Sequence, residues 1–300
     1  MNLEIIYSTL AGSRLYGTST PESDTDIRGV CLQPINSILG MSPFEQQQEN
    51  KPNDLVIYGI TKFFTLAADC NPNIVELLFA PIDGPTCLVM TGEWSVIQNN
   101  RHFFISRKAR HTFTGYAFAQ MKRMEMHHEY EVGKIPLDVQ PSDFGAYRNE
   151  DGNWAWPSGI EQNTYSNAHN KWTNYQKWLK ERNPTRHDLE KKYGYDTKHG
   201  MHLCRLISEG EELLLTGRII LPRPDAKFLL EVKNGLFTYD QIIQYASDGE
   251  QRIIEAEKQS ILPFGADRKG IEDLLIQFNI KTVSDYFERK NGDDLHIYTI

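Results

Sequence analysis

The 300-residue sequence has no apolar run of the length that crosses a bilayer, about 20 residues as a helix. Its N-terminus lacks a basic stretch followed by an apolar one, so no secretory leader is read there. Cysteine is scarce: Cys31, Cys70, Cys87 and Cys204 are scattered, with no Cys-x-x-Cys pair. That spacing argues against a zinc knuckle and a disulfide framework. The expectation is a protein of the reduced cytoplasm with no membrane partner. Positive charge is in deficit, 32 Lys and Arg against 40 Asp and Glu, a net −8. A generally basic nucleic-acid coat is excluded by that balance, although a local basic groove is not. There is no internal repeat and no low-complexity segment. Apolar content of 40% is ordinary for a globular chain, and the length suits one large domain or two ordinary ones.

What is present is concentrated near the N-terminus. Gly12-Ser13-Arg14-Leu15-Tyr16-Gly17 is followed by Ser23-Asp24-Thr25-Asp26-Ile27-Arg28-Gly29-Val30. In an extended strand, Asp24 and Asp26 project to one face. Two carboxylates in one space repel unless a cation intervenes. Hard oxygen ligands of this kind suit Mg²⁺ or Mn²⁺, completed by substrate phosphates. Gly12 lets a phosphate approach the backbone, and the N–H and hydroxyl of Ser13 can donate to phosphate oxygens. Alone, Gly-Ser is a turn and Asp-x-Asp a solvated loop. Their spacing, between the strand-like Leu3, Ile5, Ile6 and Tyr7 and the strand-like Ile27, Val30 and Leu32, favours a metal–triphosphate site.

This pattern resembles the signature of the DNA polymerase β-type nucleotidyltransferase superfamily. Its fuller form, Gly-Ser-Arg-x-Tyr-Gly with Ser-Asp-x-Asp-x-Arg-Gly-Val, is similar to the bacterial and phage branch of predicted nucleotidyltransferases associated with RNA repair. The resemblance implies an α/β (α+β) fold, a mixed sheet followed by a mainly helical domain. It also implies a third carboxylate on the strand beside the Asp-x-Asp strand. Asp54, opening Asp54-Leu55-Val56-Ile57-Tyr58, is the candidate, with Glu49 the competitor that only strand register separates. Asp24, Asp26 and Asp54 would then hold the metal, Mg²⁺ or Mn²⁺ and two ions. Arg28, two residues after Asp26, faces the same side and can pair with a carboxylate instead.

Further candidates for phosphate come from helical stripes. Lys198, His202 and Arg205 recur at i, i+4 and i+7, where cations would stabilise a leaving pyrophosphate; this run also resembles the family's second motif. His199 and His202 offer metal-ligand spacing but no third ligand nearby. Lys108, and Arg14 in the Gly-Ser motif, join the phosphate candidates. Arg107, Lys108, Arg110, Lys122 and Arg123 could form a track for RNA phosphates, or a solvated cationic face. Trp154 and Trp156, in an irregular insertion near 129–162, offer stacking surfaces for bases, or simply pack. Glu76 is read as structural.

Strands are expected over 4–10, 24–32 and 54–58, with a polar loop at 45–53 between the last two. Helices are expected over 61–69, 73–79, 94–99, 103–126, 167–182, 188–209, 226–234, 239–259 and 269–279. The expected organisation is a catalytic domain over 1–90 and a mainly helical substrate- and nucleotide-binding domain over 91–300. The expected activity moves a nucleoside monophosphate from an NTP to an acceptor hydroxyl, an RNA or tRNA 3′ end, releasing pyrophosphate. Transfer to a protein or small-molecule hydroxyl is the alternative within enzymes. A non-catalytic nucleotide- or RNA-binding module is the alternative outside them.

Overall fold

The computed structural model describes residues 3–21, 23–49, 54–181 and 184–291. Residues 50–53 of the polar stretch and residue 182, an expected helix end, lie outside that set. The described residues form two compact units. One takes in the residues up to 118, 202–231 and those from 244 on; the other takes in 119–201 and 232–243. The units thus do not divide near residue 90. A sheet must cover its apolar faces with other elements, and helices from the end of the chain return to the first unit to do so.

In the first unit, β1 (Ile5–Leu10), β2 (Asp26–Cys31), β3 (Gln46–Glu49), β4 (Asp54–Gly59) and β5 (Cys87–Met90) form a sheet in the order β3-β4-β2-β1-β5. Only β2 and β4 pair in parallel. Both edge strands depart from the sequence expectation. The run Gln46–Glu49, expected as loop, carries no apolar alternation, and its pairing with β4 makes it a strand. Short helices connect the strands: α1 (Gly12–Tyr16) after β1, α2 (Ile35–Ile38) after β2, and α3 (Ile60–Ala68) with α4 (Pro72–Phe79) after β4. The next helix, α5 (Gly92–Asn99), brings Trp94 onto the sheet.

Ile6, Tyr7, Val30, Cys31, Val56 and Ile57 are all buried, so the central strands are covered on both faces. Such strands read as near-continuous apolar runs. Tyr7 stacks on Trp94 with ring centroids 4.3 Å apart and donates its hydroxyl to the Pro81 carbonyl at 2.9 Å. Phe63 of α3 closes on the same indole at 5.5 Å.

The helix expected from 103 starts later. Residues Arg101–Phe103 form a single 3₁₀ turn, and α6 runs Ala109–Glu131. Along α6, Ala109, Phe113, Ala117 and Met124 are buried, on one helical stripe. In the irregular stretch that follows, β6 (Tyr147–Arg148) and β7 (Trp154–Ala155) make a small antiparallel ribbon with Arg148 opposite Trp154. The chain continues through α7 (Gly159–Glu181), α8 (Pro184–Tyr193) and α9 (Thr197–Thr216). The single helix expected over 188–209 is interrupted at Gly194, whose φ of 80° is left-handed, a conformation glycine adopts at little cost. Three helices complete the chain: α10 (Ala226–Lys233), α11 (Tyr239–Gln259) and α12 (Arg268–Asn291). Of these, α12 packs against α2 and α3.

Candidate active site

The site is built where β1 ends and turns against the start of β2. The Ala11 N–H donates to the Asp26 carbonyl at 2.8 Å, pinning the turn to the strand. Gly12 then takes φ +59°, and a methyl group added there would lie 2.3 Å from Asp26 Oδ2. The backbone conformation favours glycine, and any side chain there would have to push the Asp26 carboxylate aside. Ser13 follows, half-buried, its carbonyl accepting the Thr18 N–H at 2.9 Å and so closing the turn. Arg14 reaches across to the Ser23 carbonyl at 3.4 Å, tethering the loop that carries Asp24. Asp24 itself is exposed, and Asp26 is half-buried.

Register decides between the two candidates for a third carboxylate. Asp54 is the direct partner of Asp26 across the parallel β2–β4 pair, which puts both side chains on one face of the sheet. Glu49 stands opposite Leu55, one residue out of phase and therefore on the other face. Arg28 pairs with Asp54: its Nη1 donates to the Asp54 carbonyl at 2.7 Å and its Nη2 to Asp54 Oδ2 at 3.0 Å. Asp24, Asp26 and Asp54 do not close into one cluster within mutual ligand reach, whereas another group among the described residues does. Without a cation, like charges separate, and the guanidinium holds Asp54 instead. The donor set nonetheless fits a hard divalent ion. Asp26 and Asp54 come from adjacent strands, whereas Asp24, expected on the strand of Asp26, precedes β2 in the loop; the glycine keeps the space beside Asp26 Oδ2 free of side chain.

A polar pocket of about 330 Å³ opens on this face, walled by Gly12, Asp26, Arg28, Tyr58, Asn73 and Glu76 among others. Two of its walls, Tyr16 and Glu76, belong to an ionic network that joins Glu76, expected to be structural, to Arg205, expected among the phosphate ligands. Glu76 of α4 accepts the Tyr16 hydroxyl at 2.6 Å and a hydrogen bond from Arg205 Nη1. The same Nη1 reaches Glu209 Oε2 at 2.8 Å, and the guanidinium carbon lies 4.2 Å from the Tyr16 ring centroid. Arg223 continues the network to Glu212 and, at 3.1 Å, to Asp225. Burial pushes the Tyr16 hydroxyl up to about 12, against the pull of Arg205. Burial opposes the Arg205 charge, but Glu209 and Tyr16 outweigh it and hold its pKa above the usual arginine value. Arg205 is only 4% exposed. It is a cation locked under the pocket, not one presented on a helical stripe.

The other cations are placed as follows. Lys108 pairs with Asp69 at 2.7 Å, and Arg268 shares that carboxylate at 3.2 Å. Arg107 donates to the Leu262 carbonyl at 2.9 Å and the Ser260 carbonyl at 2.5 Å, and Arg110 pairs with Glu257 at 3.3 Å. Those two arginines clasp the end of α11 and do not form a free track. Lys122 and Arg123 are exposed on α6. Lys198 and His202 are half-buried on α9, the Lys198 N–H capped by Asp196 Oδ1 at 2.9 Å. Trp154 carries the Arg148 guanidinium on its ring at 4.0 Å, and Trp156 packs on Tyr165 at 5.2 Å.

One group escaped sequence reasoning. His127, Asp196 and His199 offer ligand atoms that all lie within 4.8 Å of one another. Asp196 and His199 lie 69 and 72 residues from His127 in the sequence, a separation that no local pattern such as the His199–His202 spacing reveals.

Comparison with known proteins fits this geometry. The sequence model of the family described as RlaP, RNA repair pathway DNA polymerase beta family, matches residues 1–244, from before β1 into α11. An uncharacterized 38.9 kDa protein from the nrdC-mobD intergenic region of Enterobacteria phage T4 is 24% identical. The alignment spans 86% of this chain and 91% of the phage protein.

Proposed function

The chain belongs to the RNA repair pathway DNA polymerase beta family, and from that premise we propose that it transfers a nucleoside monophosphate from an NTP to the 3′-hydroxyl of an RNA, releasing pyrophosphate. The observation that carries the proposal is the apposition of Gly12 and Asp26 Oδ2 at the mouth of a polar pocket. A triphosphate needs a bare backbone turn to lie against and carboxylates beside it, and few other ligands need both.

In this reading Gly12 and Ser13 bind the β- and γ-phosphates through the turn, and Arg14 orients the loop bearing Asp24. Asp24, Asp26 and Asp54 would hold Mg²⁺. Bound there, the ion supplies charge neutralisation on the phosphates and a lowered pKa for the attacking hydroxyl. Arg28 holds the Asp54 carboxylate in place until the nucleotide arrives. The buried Tyr16–Glu76–Arg205 network keeps the Gly-Ser turn rigid, so the phosphate-binding N–H groups are preorganised. Lys108 and Arg205 are assigned structural work.

The test is incubation of the full chain with Mg²⁺ and each α-labelled NTP, with RNA whose 3′ end is intact or oxidised by periodate. Label should enter intact RNA only, and Asp26→Asn should abolish it. Label on protein or on a small hydroxyl compound, with none on RNA, would move the acceptor to the alternative class. Absence of transfer to any acceptor would contradict the reaction itself.

A further inference from the structure

The second unit contains a cluster that the nucleotidyl-transfer reading does not use. His127 of α6, Asp196 at the start of α9 and His199 in its first turn bring three ligand atoms within 4.8 Å of one another. Their side chains are 15%, 1% and 11% exposed. Asp196 divides its two oxygens. Oδ1 caps α9, accepting the N–H groups of Lys198 at 2.9 Å and His199 at 3.1 Å, while Oδ2 lies 3.5 Å from His199 Nε2.

Each imidazole is fixed from behind. His199 Nδ1 lies 2.7 Å from Gln120 Oε1, and His127 Nδ1 lies 2.7 Å from Glu190 Oε1. Both acceptors call for a proton on Nδ1, which turns the lone pair of each Nε2 to the other side of its ring. Metal-bound histidines are held in this way, the outer nitrogen donating to a carboxylate or carbonyl oxygen. Glu190 is buried, and its second oxygen has no hydrogen-bond partner. Asp196 and Glu190 thus place two buried carboxyl groups beside two rings whose Nε2 atoms face away from their Nδ1 partners. Ligand atoms 2.0–2.1 Å from a tetrahedral zinc lie about 3.3 Å from each other, close to the 3.5 Å found between Asp196 and His199.

We propose that this cluster is a Zn²⁺ site, with His127 Nε2, His199 Nε2 and Asp196 Oδ2 as ligands, Gln120 and Glu190 orienting the rings, and a water in the fourth position. Two imidazoles and one carboxylate suit a late first-row ion rather than Mg²⁺. The ion ties the N-terminal turn of α9 to α6. The site is independent of the carboxylates on the sheet and stands or falls without them.

Co²⁺ is the probe, because four-coordinate Co²⁺ gives intense visible bands and six-coordinate Co²⁺ weak ones. The full chain, stripped by a chelating resin and kept in excess Mg²⁺ to fill oxygen sites, is titrated with Co²⁺. Intense bands should grow to saturation at one ion per chain and be erased by Zn²⁺. Asp196→Asn retains the capping oxygen, and should keep its helical circular dichroism while losing the bands. Gln120→Ala touches no ligand atom and should weaken Co²⁺ binding by about 10–100-fold. If the rings are instead protonated partners of the two carboxylates, wild-type chain at pH 7.5 will show no intense bands, and the proposal is overturned. It is equally overturned if Asp196→Asn and Gln120→Ala both bind Co²⁺ as the wild type does.

Discussion

Arg205 is a cation whose chemistry suits phosphate but whose surroundings commit it elsewhere. With Glu76, Glu209 and the Tyr16 ring around it, the guanidinium is buried and its Nη1 is committed to two carboxylates. Removing one partner of a buried pair leaves the other charge uncompensated, which costs about 3–5 kcal/mol. Arg205→Ala should lower the free energy of urea unfolding by that amount, and pairing it with Glu76→Gln should recover part of the loss. A change below about 1 kcal/mol would show that the network does not hold the Gly-Ser turn. At this scale the sequence was legible where chemistry is local. Gly12 and Asp26 are named by their spacing, but Asp54 is separated from Glu49 only by a one-residue difference in register. The burial of Arg205 depends on Glu76, 129 residues away, and no periodicity carries that information.

Among the elements, α3 ends on Asp69, an acid at the negative end of a helix. Lys108 and Arg268 answer it from two other segments. The hydrogen bond from Lys108 is the main cause holding the Asp69 carboxyl below the usual aspartate range. A depressed carboxyl pKa stabilises the fold above the ordinary value, about 3.9, and that stabilisation is lost as pH falls through the depressed one. Asp69 is 43% exposed by side chain, so solvent screening keeps the contribution to about 0.2–1 kcal/mol. Lys108→Ala should therefore be less stable than wild type at pH 7 by that amount and indistinguishable from it at pH 2. A deficit that persists undiminished in acid would mean that Lys108 acts through packing instead. Long apolar-periodic helices such as α11 were readable in advance, and so were β1, β2 and β4. Polar Gln46–Glu49 was not, because an edge strand needs only one partner and little burial. The break at Gly194 was hidden by continuous helical propensity on both sides, and it is resolved only by the left-handed glycine and the Asp196 cap.

For the whole molecule, the proposed function places metal-dependent chemistry on a triphosphate at one pocket. A net charge of −8 makes no general case for RNA, so the acceptor rests on family membership and on the labelling experiment above. The reaction rests on geometry that a single methyl group disturbs. In Gly12→Ala the added carbon would sit 2.3 Å from Asp26 Oδ2 and on a residue at φ +59°. The backbone cost is about 1–2 kcal/mol, which leaves a folded protein. Displacement of the carboxylate or the turn should remove at least one preorganised contact, typically worth about 10²–10³ in kcat. The direct measurement is pyrophosphate release from NTP in the presence of RNA with an intact 3′ end, by wild type, Gly12→Ala and Asp26→Asn, each with Mg²⁺ and with EDTA. The account predicts release by the wild type that EDTA abolishes, a loss of at least about 10² in Gly12→Ala, and none above background in Asp26→Asn, with all three chains folded. Release by folded Gly12→Ala or Asp26→Asn at the wild-type rate, or wild-type release indifferent to EDTA, would contradict it.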